Sequence, residues 1–270
     1  MDKAVIMARG LGTRMRKADE STRLSEAEAR VAETGVKALM PIEGGRPFLD
    51  YVLSVLAQAG YRRVCLIIGP EHDTVREYYG SLPYQHLSIE FAVQDEPKGT
   101  ADAVAAAEEF AAGEPFIVLN SDNYYPLEAL AGLRQLDGPG LAVFERQSMI
   151  DHSNIAADRL TAFAVAEVDG NGHMRQIHEK PSAQVIDSLP EPVGLSMNCW
   201  RFDAHIFDAC RAIEPSPRGE YEVTDAVQYT IDQLGQPFRV LNFAAPVLDL
   251  SNRGDLGPLK AHLTDKEIIL

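Results

Sequence analysis

The feature that most narrows the fold of this 270-residue chain is an alternation along its first half. Short apolar runs, AVIMA (4–8), VCLIIG (64–69), IEFAVQ (89–94), FIVLNSD (116–122) and LAVFER (141–146), are separated by longer stretches with helical spacing. Those stretches are PFLDYVLSVLAQAG (47–60), HDTVREYYGSL (72–82), TADAVAAAEEFAAG (100–113) and PLEALAGLRQL (126–136). In the first, Phe48, Val52, Val55 and Leu56 share a face and Gly60 supplies a stop. Most of the short runs lack polar alternation, as expected of strands buried on both faces. The chain therefore reads as α/β, a mostly parallel sheet flanked by helices.

Beyond about residue 147 the pattern changes. FAVAEVDGNGHMRQIHEKP (163–181) reads as two strands about a DGNG turn, and VGLSMNCWRFD (193–203) as another strand. Helices are expected over 204–213 and 224–235, strand over 238–250, then a short terminal helix. With no Gly/Ser or charged linker, the expectation is one domain over 1–270. It would comprise an α/β half, about 1–147, and a smaller, more antiparallel half, about 148–270. No internal repeat is visible. The polar stretch 17–35, with Leu24, Ala27 and Val31 on one face, fits either a lid over residues 15–36 or a plain surface helix.

Composition removes several function classes. With 25 Lys and Arg against 40 Asp and Glu, net −15, the chain lacks the basic stripe that a nucleic-acid partner requires. No apolar run approaches the roughly 18 residues of a membrane span. The three cysteines, Cys65, Cys199 and Cys210, are odd in number and lack CxxC spacing, which points to buried thiols in a reducing cytoplasm. The apolar stretch before Arg9 is too short for a secretory signal. Tyr78-Tyr79 fits either the core or the interface of a homo-oligomer.

Against the acidic background, residues 1–17 hold Lys3, Arg9, Arg14, Arg16 and Lys17 beside one acid, Asp2. The basic residues surround the turn ARGLGTR, directly after the apolar run. A glycine turn leaving a strand can aim several backbone N–H groups at one anion, and arginine adds a planar fork for phosphate oxygens. No GxxxxGK[ST] run exists, and Met15 stands where GxGxxG needs its third glycine. None of the histidines has zinc-like spacing, and no GxSxG anchors a serine nucleophile.

Residues 5–14 resemble the L-A-[AG]-G-x-G-T-R signature of the sugar nucleotidyltransferases, the nucleoside-diphosphate-sugar pyrophosphorylases. The similarity continues in order along nearly the whole chain. VKALMPIEGGRPFLDYVLSVLAQAG resembles P-K-x-L-x-P-[IV]-x-G-x-P-[LM]-[IL], and QDEPKGTADAV resembles Q-x-x-P-x-G-[TL]-A-x-A. VLNSDNYY resembles a strand ending in G-D, HEKP the family's E-K-P, and LSMNCWRF its S-[MA]-G-x-Y-x-F. RGEYEVTDAV resembles R-G-E-x-E-[IL]-T-D, and VLDLSN resembles W-x-D-x-G-T.

The resemblance implies a Rossmann-like, GT-A-like nucleotidyltransferase fold and Mg²⁺-dependent nucleotidyl transfer from a nucleoside triphosphate to a sugar 1-phosphate, releasing pyrophosphate. It assigns Ala8, Arg9, Gly10, Leu11, Gly12, Thr13 and Arg14 to the nucleotide, with Arg14 as the leading electrostatic catalyst and Lys37 on the phosphates. Asp122 and Asp249 would bind the metal, each ending an apolar run. Gln94, Gly99 and Thr100 would meet the base, Glu179 the ring hydroxyls, Lys180 the sugar phosphate, and Ser196 and Asn198 the sugar pocket. Asp122 and Lys180 complete the catalytic set with Arg14 and Lys37. Glu220 and Asp225 also match, but Thr224 or Asp225 could simply cap a helix, so both stay outside the site.

Departures matter as well. Arg9 stands where the family has Gly or Ala, Asn198 replaces a glycine, Ala164 replaces another, and Trp200 replaces a tyrosine. Three of these surround the expected sugar pocket, which favours an unusual sugar or cyclitol 1-phosphate over plain glucose 1-phosphate. GTADAV and SM lean toward adenylyl transfer, while RGEYEVTD and the length lean toward thymidylyl transfer, and ATP is favoured. The alternative is a catalytically silent paralogue that binds sugar nucleotides and regulates a partner.

Overall fold

The computed structural model describes residues 1–17 and 22–270. The chain opens with β1 (Lys3–Met7), the glycine turn and a four-residue helix α1 (Thr13–Arg16). Then follow α2 (Glu26–Thr34), α3 (Phe48–Gln58), β2 (Arg63–Ile68), α4 (Asp73–Ser81), β3 (Ser88–Val93), α5 (Thr100–Ala105), α6 (Glu108–Ala111) and β4 (Phe116–Asn120). A two-residue strand β5 (Asn123–Tyr124) precedes α7 (Leu127–Gln135), β6 (Gly140–Glu145), α8 (Arg146–His152), α9 (Ala157–Leu160), β7 (Ala164–Val168) and β8 (Met174–His178). The remainder is α10 (Ala183–Ser188), β9 (Gly194–Phe202), α11 (His205–Ala212), α12 (Val223–Asp232), β10 (Arg239–Phe243), β11 (Leu248–Asp249) and α13 (Leu256–Leu263).

One sheet carries the order β10-β6-β9-β4-β1-β2-β3, with the β7–β8 hairpin paired to β9. The β4-β1-β2-β3 run is parallel, while β9 lies antiparallel between β4 and β6. The α/β reading of the sequence therefore holds. Alternate residues of β1 explain why its run is apolar throughout. Ala4 and Ile6 enter one core with Leu53 of α3, Leu130 of α7 and Leu259 of α13. Val5 enters the other with Val104 of α5, Phe207 of α11 and Val227 of α12. A strand covered on both faces cannot place a polar residue at either parity.

Some expectations need revision. The helix expected over 100–113 breaks after Ala105 into α5 and α6, and the strand expected over 238–250 divides into β10 and β11. Tyr79 is fully buried and donates its hydroxyl to Asp50 Oδ1 at 2.9 Å, with Tyr78 adding a 3.3 Å bond to Oδ2, so this pair belongs to the core. Of the polar stretch 17–35, residues 18–21 lie outside the described residues. Residues 26–34 form α2, whose Ser25–Glu28 capping box and buried Ala32 fix it on the body. Glu28 also pairs with Lys260 of α13, so this part takes the surface-helix alternative, not a lid. Cys65, Cys199 and Cys210 are free and buried. No helix among the described residues is long and apolar enough to cross a membrane.

Candidate active site

The strands of the parallel run end on one side of the sheet, where the turns after them open a cleft of about 560 Å³. Open α/β sheets place ligands at this carboxyl edge. The lining takes Ala8, Arg9, Gly10, Leu11, Gly12 and Thr13 after β1, Gln94 after β3, Asn120 and Asp122 after β4, and Lys37, Gly99, Thr100 and Glu220.

Glycines shape the floor. Gly12 has φ +59°, and a Cβ there would run into the carbonyl of Gly35, which itself sits at φ +74° past the end of α2. This backbone approach brings the next segment against the turn. Lys37 N then donates to Gly35 O at 2.9 Å, and Lys37 Nζ donates to Asp122 Oδ2 at 2.7 Å. Gly99 has φ +124°, and its missing Cβ admits the backbone of Tyr221. Thr100 Oγ1 accepts from Val223 N at 2.8 Å, so the segment carrying Glu220 is tied to the mouth of the cleft.

Gln94 is buried and donates through Nε2 to Gly99 O at 3.0 Å and to Asp102 Oδ2 at 2.7 Å. With both N–H groups committed internally, its oxygen is the atom left to meet a ligand. Arg9 is also buried. Its Nη2 lies 3.4 Å from both carboxylate oxygens of Glu71, and Nε and Nη1 have no partner among the described residues. Next to it, His72 accepts from Gly69 N through Nδ1 at 3.2 Å. Burial, aided by the charge of Arg9, lowers the His72 pKa despite the opposing carboxylate of Glu71.

On the β4 side, β5 pairs antiparallel with β11, setting Asp249 opposite Asn123. Leu250 N donates to Asp122 O at 2.8 Å, so the two aspartates are neighbours. Asp249 is buried. Its Oδ1 accepts from Asn123 Nδ2 at 3.1 Å and its Oδ2 from Arg159 Nη2 at 2.5 Å. The same guanidinium donates through Nη1 to Asp255 Oδ1 at 2.9 Å. Burial raises the Asp249 carboxyl pKa, and the negative charge of Asp122 adds to the rise.

Ser196 and Asn198 stand on β9, where the pairing with β6 slips between Ala142 and Val143. Asn198 has φ +55°, which explains why a residue tolerant of left-handed backbone occupies a glycine-like position. Its Nδ2 donates to Asn120 Oδ1 at 3.3 Å, and its Oδ1 accepts from Trp200 Nε1 at 3.2 Å. Ser196 is buried, with Oγ unpartnered among the described residues. Glu179 and the exposed Lys180 follow β8, with Lys180 at φ +46°. Arg218 Nη2 lies 3.5 Å from Glu179 Oε1 and 2.5 Å from Glu222 Oε1. Desolvation and the charge of Glu222 raise the Glu179 pKa. Arg14 is exposed on α1, beyond the cleft lining.

The structure thus gathers the glycine turn, Lys37, Gln94, Gly99, Thr100 and Asp122 in one cleft, with Asp249 and Asn198 attached through hydrogen bonds. It does not put Arg14, Glu179, Lys180 or Ser196 on that lining. Sequence reasoning passed over Arg159, Asn123 and Arg218 and set Glu220 aside. The R-G-E stretch offered a signal for Arg218 and Glu220. Nothing in ADRL links Arg159 to a carboxylate 90 positions away. Glu222 is the residue preceding α12 and no side chain caps that helix, so neither Thr224 nor Asp225 has the capping role considered for it.

Comparisons with known proteins define the class. A family model described as nucleotidyl transferase matches residues 3–242. The chain belongs to this nucleotidyltransferase family, and the relatives it matches are sugar nucleotidyltransferases. A glucose-1-phosphate thymidylyltransferase of Streptomyces antibioticus is 30% identical over 235 residues, covering 85% of this chain and 57% of that protein. The low-salt glycan biosynthesis nucleotidyltransferase Agl11 of Haloferax volcanii is 27% identical over the same shares. The chain therefore spans 57% of the length of these curated relatives. A solved structure of UDP-glucose pyrophosphorylase complexed with UDP-glucose superposes with a TM-score of 0.75 at 16% identity, covering 98% of this chain and all of that one. That likeness shows the nucleotidyltransferase fold.

Proposed function

We propose that this chain transfers a nucleotidyl group from a nucleoside triphosphate to a sugar or cyclitol 1-phosphate. The carrying observation is the corner where Lys37, Asp122 and Asp249 meet beside the glycine turn. In the reaction a phosphate oxygen of the sugar phosphate attacks the α-phosphorus. A new P–O bond forms, the bond to the bridging α–β oxygen breaks, and pyrophosphate leaves.

Two polyanions must approach, so fixed positive charge and alignment are the main demands on the protein. The turn Ala8–Thr13 offers backbone N–H groups to the triphosphate. Lys37 supplies a cation at the same place, and Arg14 adds one from α1. Gln94 accepts from an N–H of the base, with Gly99 and Thr100 shaping the slot. Glu179, Lys180, Ser196 and Asn198 form the sugar-phosphate side.

Magnesium takes hard oxygen ligands, one or two carboxylates with phosphate oxygens and water. Among the described residues no cluster of three or more His, Cys, Asp or Glu could hold a metal alone. The adjacent carboxylates of Asp122 and Asp249 nevertheless fit a cation whose remaining ligands are water or triphosphate oxygens. Bound there, it would neutralise phosphate charge and polarise the reacting phosphorus.

The sequence leans to ATP, whereas the Streptomyces antibioticus relative is named a thymidylyltransferase. The three buried free thiols accord with a reducing cytoplasm. Pyrophosphate release over a panel of triphosphates and sugar or cyclitol phosphates, with and without Mg²⁺, tests the proposal. Turnover with at least one pair and dependence on Mg²⁺ are expected. Tight binding of a sugar nucleotide with no turnover across the panel would favour the silent regulatory paralogue instead.

A further inference from the structure

Both carboxylates of the proposed metal corner already carry a cation drawn from the chain. Asp122 holds Lys37, and Asp249 holds Arg159. The two pairs differ in what the cation has behind it. Lys37 lines the open cleft, where incoming phosphates can take over its charge. Arg159 comes from α9, away from that lining, and grips two buried acids at once: Asp249 through Nη2 and Asp255 through Nη1.

Asp255 has duties of its own. Its Oδ2 accepts from Ser251 N and Asn252 N, both at 2.9 Å, which leaves Oδ1 for Arg159. Asp255 is therefore held in place whether or not Arg159 also touches Asp249. Asp249 is likewise anchored, through Asn123 on Oδ1 and through its own backbone, where N and O both bond the Asn154 side chain at 2.8 and 2.7 Å. Of the trio, the guanidinium alone is held only by the other two members among the described residues.

We propose that Arg159 is a resident counter-ion that occupies the cation's place on Asp249 in the free protein and yields it on loading by falling back on Asp255. This inference rests on the metal reading of Asp122 and Asp249. It adds a residue that sets how tightly the divalent cation binds before nucleotide arrives. A buried carboxylate stripped of its partner is costly. Arg159 offsets that cost in the empty protein, and the same contact competes with a divalent ion. Arg159 is thus a positioning residue, not a catalytic one.

The test is Mn²⁺ affinity of the whole protein, read by electron paramagnetic resonance of free Mn²⁺, without a triphosphate and with one measured against a protein-free blank of the same triphosphate. Arg159→Gln is expected to bind Mn²⁺ roughly tenfold more tightly than the parent in the absence of nucleotide, the scale of one competing charge-assisted hydrogen bond removed. Arg159→Lys, which keeps the charge but loses the fork, is expected between the two. The thermal midpoint of Arg159→Gln should fall without metal and recover on adding Mn²⁺. Unchanged or weaker affinity in both variants overturns the inference while leaving the metal reading intact. If neither parent nor variants bind Mn²⁺ even with triphosphate present, the metal reading itself fails. Should Arg159→Gln not fold, the Arg159→Lys titration decides alone, since equal affinity to the parent removes the competition.

Discussion

At the level of single residues, the corner at the end of β4 depends on charges that few side chains can replace. Asp122→Asn keeps size and removes the carboxylate facing Lys37. Turnover in a pyrophosphate-release assay is expected to fall about a hundredfold or more, as when a preorganised electrostatic group is lost, with the melting temperature little changed. His72 gives a pH prediction. Its Nδ1 accepts a backbone hydrogen bond, so protonation breaks that bond and adds a charge beside Arg9. With a folded-state pKa below the unfolded value of about 6.5, its contribution is complete above that value and is lost as pH falls through the folded pKa. Urea midpoints at pH 7.5 and 5.5 should therefore drop further in the parent than in His72→Gln. The sequence exposed Asp122 and Asp249 because each follows an apolar run. Arg159 and the shielded state of Arg9 stayed hidden, since an arginine's partner is set by tertiary packing that local pattern does not encode.

At the level of elements, the strands of the parallel run were legible because burial on both faces leaves an unbroken apolar signal. The two-residue strands β5 and β11 were not, having no length in which a period could show. They nonetheless bring Asp249 to Asp122. The slip in β9 was marked only by an asparagine in a glycine's place. Asn198→Gly relaxes the backbone but strands the buried Trp200 Nε1 and should cost about 1–3 kcal/mol in denaturant titration; Asn198→Val adds the strain of φ +55° and should cost about 1–3 kcal/mol more. The contact between the β1 turn and the end of α2 makes a matching case. Gly12→Ala combines φ +59° with a collision against the Gly35 carbonyl. Triphosphate affinity by calorimetry is expected to drop at least about tenfold, because the clash pushes Lys37 away from the turn.

At the level of the whole molecule, the antiparallel strand β9 decides how the halves relate. It comes from the second half of the sequence, yet it pairs with β4 on one side and β6 on the other, inside the sheet. A fragment ending near residue 147 would leave an edge of β4 bare, with Val118 lacking its partner Trp200. Such a fragment, expressed alone, is expected to aggregate or stay partly unfolded by circular dichroism, because an uncovered apolar edge invites pairing with other chains. The α/β class and the strand–helix order could be read from the sequence. The crossing of β9 could not, since strand order depends on contacts between distant segments.

The pairing of β5 with β11 also has a temporal consequence. Asn123 leaves the ribosome long before Asp249, so the acidic corner stays half built until 126 further residues have been added. Any ligand that needs both aspartates must wait until Asp249 has been made and paired against β5.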